Sequence, residues 1–135
     1  MVIGDYEAVY DLWKRTAGMG LNDVDDSKTG IEKYLRRNPT TCFVAEKNET
    51  IIGVILSGHD GRRGYVHHMA VDEKLRGNGV GSMLLKSAMD ALKAEGITKA
   101  ALLVFAENEI GNAFWESKGF MAHSELLYRN RLLDD

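Results

Sequence analysis

Residues 69–83 read Met-Ala-Val-Asp-Glu-Lys-Leu-Arg-Gly-Asn-Gly-Val-Gly-Ser-Met. A strand ends at Val71-Asp72, and glycines 77, 79 and 81 open a helix. Without Cβ atoms, the loop's backbone N–H groups can converge on an anion, and the helix start behind them carries roughly half a positive charge. Arg76 adds a fixed cation with several donors. Arg76, Gly77, Asn78, Gly79, Val80, Gly81 and Ser82 are therefore candidates for holding a pyrophosphate. Two nucleotide-binding patterns fail here. An NTPase phosphate loop needs Lys then Ser/Thr after its last glycine, and Val80-Gly81-Ser82-Met83 has no lysine. The dinucleotide pattern G-x-G-x-x-G fails at Ser82, and it normally sits in the first βαβ unit of a parallel sheet.

The pattern on either side decides the fold class. Downstream, Val80, Met83, Leu84, Ala88, Ala91 and Leu92 share one face of a helix over about 79–95, ended by Gly96. Ala100 to Ala106 is a continuous apolar run, expected to be a strand covered on both faces. Strand, helix, strand is a βαβ crossover, so the strands at 65–71 and 100–106 should be parallel. Upstream, strands at 41–46 and 51–57 flank the polar turn Lys47-Asn48-Glu49-Thr50, and the strand at 65–71 completes an antiparallel meander. A first helix capped by Asp5 carries Tyr6, Val9, Tyr10, Trp13 and Ala17 at helical spacing, and a second runs over about 27–37 to Asn38-Pro39. A short helix at 109–118 ends at Gly119, and the tail 120–132 is expected to hold one or two strands. The fold class is α/β (α+β): a mixed sheet, meander then crossover, with helices on both faces.

At 135 residues the chain is expected to form a single domain, 1–135. A net charge of −3 argues against a nucleic-acid partner, and no apolar run approaches a bilayer span. The N-terminus lacks the basic and apolar regions of a signal peptide, so a cytoplasmic protein is expected. Cys42 is the only cysteine, which rules out an internal disulfide or a thiolate metal cluster, and no metal site is expected. It reads as a small buried hydrophobe.

The sequence resembles the GNAT superfamily of acetyl-CoA-dependent N-acetyltransferases, nearest to its small, RimI-like bacterial members. The family motif Arg/Gln-x-x-Gly-x-Gly/Ala is matched by Arg76, Gly79 and Gly81. A second pattern is matched by Asn108, Ala113, Trp115 and Gly119-Phe120, in the correct order. The first strand usual before Asp5 is reduced to Val2-Ile3 or absent. The resemblance implies a GNAT fold, acetyl-CoA as cosubstrate, and transfer to a primary amine of a small molecule or peptide by direct attack. It implies that backbone groups of Met69, Ala70 and Val71 bind the pantetheine amides, with a Met69 N–H polarising the thioester carbonyl. It places Asn108, Asn112 and Trp115 by the cofactor arm. Members often dimerise through their C-terminal strands, so a homodimer is also an expectation.

Attack needs an unprotonated amine, and His67 is the first candidate base and His68 the second, a histidine titrating ordinarily near 6.5. Strand alternation puts His67, Met69 and Val71 on one face and His68 and Ala70 on the other, unless a bulge shifts the phase. The competing reading is a histidine paired structurally within the sheet. Trp115 stands where the family carries an acidic tyrosine, and indole cannot deliver a proton. Leu103 stands where some relatives carry a glutamate base. These two departures support an alternative, a non-catalytic acyl-CoA-binding module of the same fold. Asp23, Asp25 and Asp26 read foremost as a solvated, helix-capping loop and next as an amine attractor. Arg62 and Arg63 read foremost as a solvated turn and next as a clamp for an acceptor carboxylate.

Overall fold

The structure is a computed structural model describing residues 1–134. It divides into two compact units, Met1–Leu103 and the chain from Val104 onward. In the first unit a short 3-10 turn, Ile3–Asp5, leads into α1 (Tyr6–Lys14). The Asp5 carboxylate accepts from the Val2 N–H at 2.8 Å. It winds the preceding turn and makes no side-chain bond to the amides of α1. Helix α2 (Lys28–Arg37) begins where the Ser27 hydroxyl accepts from the Gly30 N–H at 3.0 Å, and it stops before Pro39.

Strands β1 (Phe43–Lys47), β2 (Thr50–His59) and β3 (Gly64–Val71) form the antiparallel meander. The β1–β2 turn is tight, with positive φ at both Asn48 and Glu49, as a two-residue hairpin connection requires. Helix α3 (Val80–Ala94) then crosses to β4 (Ala100–Leu102), which pairs with β3 in parallel, giving the order β1-β2-β3-β4. One sheet face carries Val54, Leu56 and Ala70 into a core with Val9, Leu12, Trp13, Ile31 and Leu35 of the first two helices. On the other face Leu84 and Val80 of α3 lie over Gly53. Helices thus cover both faces, as the hydrophobic pattern predicts. Met83 does not belong to the α3 packing face, being 70% exposed, whereas Leu85 does and is buried.

Two expected strands differ. The apolar run 100–106 is a strand only as far as Leu102, and Leu103 and Phe105 are 54% and 59% exposed. Its pairing ends at Val66, directly before an irregularity in β3, and a bulge breaks a ladder in this way. The tail 120–134 contains no strand. Its apolar residues Leu126, Leu127 and Leu132 are exposed, so apolar content alone gave the segment no partner to pair with.

The second unit holds α4 (Glu109–Ser117). Gly119 (φ +88°) ends it, with the Phe120 N–H donating to the Trp115 carbonyl at 3.0 Å. This is the glycine C-cap expected from the sequence.

Candidate active site

The decisive feature lies in β3. Leu56 pairs with His68, but Ser57 pairs with Val66, so His67 is an extra residue opposite no partner of its own. Such a β-bulge re-aims the strand and shifts its alternation by one. His67 therefore does not share a face with Met69 and Val71. Its ring packs edge-on against Tyr34 of α2 (centroids 5.4 Å apart) and beside Tyr65 (4.6 Å). His68 lies on the same helix-covered face, with its ring against Trp13 at 5.0 Å.

The bulge also sets which backbone groups point outward. Beyond it, the Asp72 N–H donates to the Ile52 carbonyl at 2.7 Å. Hydrogen-bonded pairs alternate along an antiparallel ladder, so His68 and Ala70 turn their groups to β2. Met69 and Val71 then turn theirs to the opposite edge, where β4 has no residue paired beyond Val66. Arg76 agrees with this phase, because its Nε donates to the Val71 carbonyl at 3.4 Å.

Further along, Asp72 caps a short turn by accepting from the Lys74 N–H at 3.0 Å, and the Asn78 amide donates to the Leu75 carbonyl. Gly77 and Gly79 have φ of +82° and +80°, and nothing lies within 4 Å of where a Cβ would be. These glycines are needed for backbone conformation and not for space. Gly79 is the N-cap of α3 and offers no side-chain cap, so the helix's leading N–H groups receive none. Uncapped donors, a helix dipole and the Arg76 guanidinium make a site that fits a pyrophosphate.

A cavity of about 420 Å³ opens on the His67 side, lined by Tyr34, Asn38, His59, Arg63, Tyr65 and His67 among others. Gly58 forms part of its wall, and a Cβ there would come within 2.5 Å of the Tyr34 hydroxyl. Partial burial and the neighbouring His68 hold the His67 imidazole below its ordinary pKa, against the pull of Asp26 and Asp25. The residue remains exposed on one side, and that solvent contact limits the shift. The shift favours the neutral imidazole, the form that can accept a proton.

His68 has a different environment. Its Nε2 lies 2.8 Å from Asp26 Oδ1, and Asp26 also accepts from the Asn22 N–H at 2.8 Å. Asp26 is buried, so it tethers the loop between α1 and α2 and cannot greet an incoming amine. Burial pushes its carboxyl up, but the hydrogen bonds from His68 and Asn22 outweigh that and hold it below the ordinary value. A depressed carboxyl pKa stabilises the fold above the unfolded-state pKa, and that contribution disappears as pH falls through the depressed one. Replacing Asp26 with Asn is expected to cost about 1.5–3 kcal/mol at pH 7, the worth of charged hydrogen bonds. In urea melts the gap between variant and wild type should close as pH drops below the ordinary carboxyl pKa.

Cys42 is buried with its thiol donating to the Ser57 carbonyl, and burial pushes its pKa up to about 11, so no thiolate exists at neutral pH. Among the described residues no group of acids, histidines and cysteine could hold a metal ion. Among the described residues no helix is long and apolar enough to cross a membrane.

In the second unit, Asn108 caps α4 by accepting from the Gly111 N–H at 2.9 Å. Asn112 donates to the carbonyls of Phe105 and Asn108. Trp115 sits between Phe114 and Phe120, with ring centroids 5.1 and 5.3 Å away. Both asparagines thus shape the backbone of this unit. Sequence reasoning missed Tyr34 and Tyr65 as partners of His67. Tyr34 reads as an ordinary core position of α2, and no sequence signal marks the bulge that brings the rings together.

Residues 6–120 match the acetyltransferase (GNAT) family. An acetyltransferase from Sodalis glossinidius is 32% identical over 132 residues, 97% of this chain and 92% of that protein. One from Pectobacterium atrosepticum is 30% identical over 131 residues, with the same coverage. Among solved structures, Ard1 from Thermoplasma volcanium superposes with a TM-score of 0.81 at 21% identity, over 92% of this chain and 81% of that one. The PaiA N-acetyltransferase from Thermoplasma acidophilum, solved with coenzyme A, gives 0.77 at 21% identity, over 91% and 87%. The chain belongs to the GNAT acetyltransferase family, enzymes that take their acetyl group from acetyl-CoA.

Proposed function

We propose that the enzyme acetylates a primary amine by direct attack on the thioester, with no acyl-enzyme intermediate. The bulge at His67 carries this reading. It sends one imidazole to the cavity side of β3 and turns the Met69 and Val71 backbone groups to the opposite edge, so base and carbonyl-polarising donor flank one strand. The pantetheine amides of acetyl-CoA pair with the β3 edge at Met69 and Val71, whereas the Ala70 backbone groups, expected from the sequence to join them, are turned to β2; the pyrophosphate sits on the loop from Arg76 to Ser82. From the family resemblance, Asn108, Asn112 and Trp115 are assigned to the same cofactor.

His67 removes a proton from the acceptor ammonium, directly or through a water. The freed lone pair attacks the thioester carbonyl while the Met69 N–H stabilises the developing oxyanion. The new N–C bond forms, the nitrogen releases its second proton to water, the C–S bond breaks, and the CoA thiolate takes a proton from solvent. The last step accommodates the tryptophan at position 115, because a thiolate leaves without an enzyme acid.

Thermal unfolding followed with acetyl-CoA, CoA and ATP tests the cofactor assignment. Both CoA species should raise the midpoint and ATP should not, and stabilisation by ATP alone would reject the reading. Thiol release across an amine panel tests catalysis: tight CoA binding without turnover on any amine would favour the non-catalytic module.

A further inference from the structure

We propose that the cavity beside His67 is built for an acceptor that carries a carboxylate as well as its amine, an amino acid or a similar small zwitterion. This rests on the amine-acetyltransferase reading and specifies its acceptor.

Most polar groups around the cavity are already engaged. Asn38 accepts from the His59 N–H at 3.0 Å and donates to the Tyr34 carbonyl at 3.3 Å. His59 accepts from the Gly61 N–H on Nδ1, so it carries its proton on Nε2 and donates it to Glu95 at 2.9 Å. Asp60 Oδ1 accepts from the N–H groups of Arg62 and Arg63, both at 2.8 Å, and folds the loop onto itself.

Two lining groups are left over. The Tyr34 hydroxyl is buried at the Gly58 wall with no hydrogen-bond partner among the described residues. The Arg63 guanidinium has no carboxylate partner among them either, although Arg63 lines the same cavity. A buried hydroxyl without a partner is costly, and a ligand oxygen can satisfy it. An unpaired guanidinium presents a planar fork matched to a carboxylate. The remaining wall is aromatic, formed by Tyr34, Tyr65 and the imidazole of His67. The volume suits a small molecule. A polycation would meet Arg63 as a like charge and find the nearby carboxylates of Asp60 and Glu95 already in use.

The test compares glycine, leucine and phenylalanine with their primary amides, which keep the amine and lose the carboxylate. Acetylation is followed by thiol release, and binding by saturation-transfer NMR with CoA present. We expect kcat/KM at least tenfold higher for the acids. Arg63→Gln should abolish that ratio through KM, and Arg63→Lys should restore part of it. Tyr34→Phe should raise the unfolding midpoint, because it deletes an unsatisfied hydroxyl, and yet weaken acid binding severalfold. Equal use of acids and amides, or a ratio indifferent to Arg63→Gln, overturns the carboxylate site while leaving amine acetylation intact. Arg63-dependent binding of acids without acetylation does the reverse. No binding of any acid overturns the site outright.

Discussion

His67→Ala should lower kcat/KM by about 10²–10⁴, the usual worth of a positioned general base, while leaving the acetyl-CoA affinity unchanged. The sign of the pH effect follows from the imidazole's environment. Partial burial and His68 hold its pKa below the ordinary histidine value. Only the neutral form accepts a proton, so wild-type kcat/KM should rise with pH through a midpoint below about 6.5 and level off by neutrality. In the variant this acid limb should disappear, leaving a slope set by the acceptor amine alone. His67→Gln keeps much of the ring's bulk against Tyr34 and Tyr65 but cannot accept the proton, so it should behave like His67→Ala. If the glutamine variant retains wild-type rate, the histidine is a packing group and the base lies elsewhere.

The neighbouring histidine shows why position along the strand matters more than residue type. His67 and His68 are adjacent, yet only one is available. His68 is held by buried Asp26 and by Trp13, where it anchors the loop between the first two helices. His67 is the residue that the bulge leaves over, and its neighbours are aromatic rings. One irregularity thus separates an imidazole held by a carboxylate from one left beside a cavity.

That irregularity marks the limit of what the sequence discloses. Helices α1 to α4 and the meander follow from apolar periodicity and turn residues, because each of those signals is local. The glycine loop is legible for the same reason: positive φ at residues 77 and 79 is a demand that glycine meets and most residues do not. The face of His67 is not legible, since strict alternation assumes an unbroken ladder, although His68 and Ala70 do share a face as the alternation predicts. The early end of β4 shares that origin, because it stops where β3 becomes irregular. Tyr34 stays hidden, and Arg63 is only half legible as the lesser of two readings, for another reason. What distinguishes them is a missing partner, and partners are assigned only when α2, the β2–β3 connection and β4 come together around one cavity.

Gly79→Asn should separate folding of the cradle from its use. Asparagine tolerates the left-handed conformation better than other side chains, so the φ of +80° at this position costs it little. It is also among the best N-cap residues, with a side-chain oxygen that accepts from the second or third N–H of the helix. Those are the donors of α3 that now receive no side-chain cap. The substitution should therefore hold or raise the unfolding midpoint, and at the same time occupy the groups proposed to bind the pyrophosphate. Losing one or two charge-assisted bonds, each worth about 1.5–3 kcal/mol, corresponds to a loss of CoA affinity of at least roughly tenfold. Gly79→Val should weaken binding as much but by another route, because a β-branched residue at that φ distorts the loop and lowers the midpoint as well. Calorimetric titration with CoA alongside thermal unfolding reads both quantities. A Gly79→Asn variant that binds CoA as wild type does would show that the leading amides of α3 do not hold the pyrophosphate.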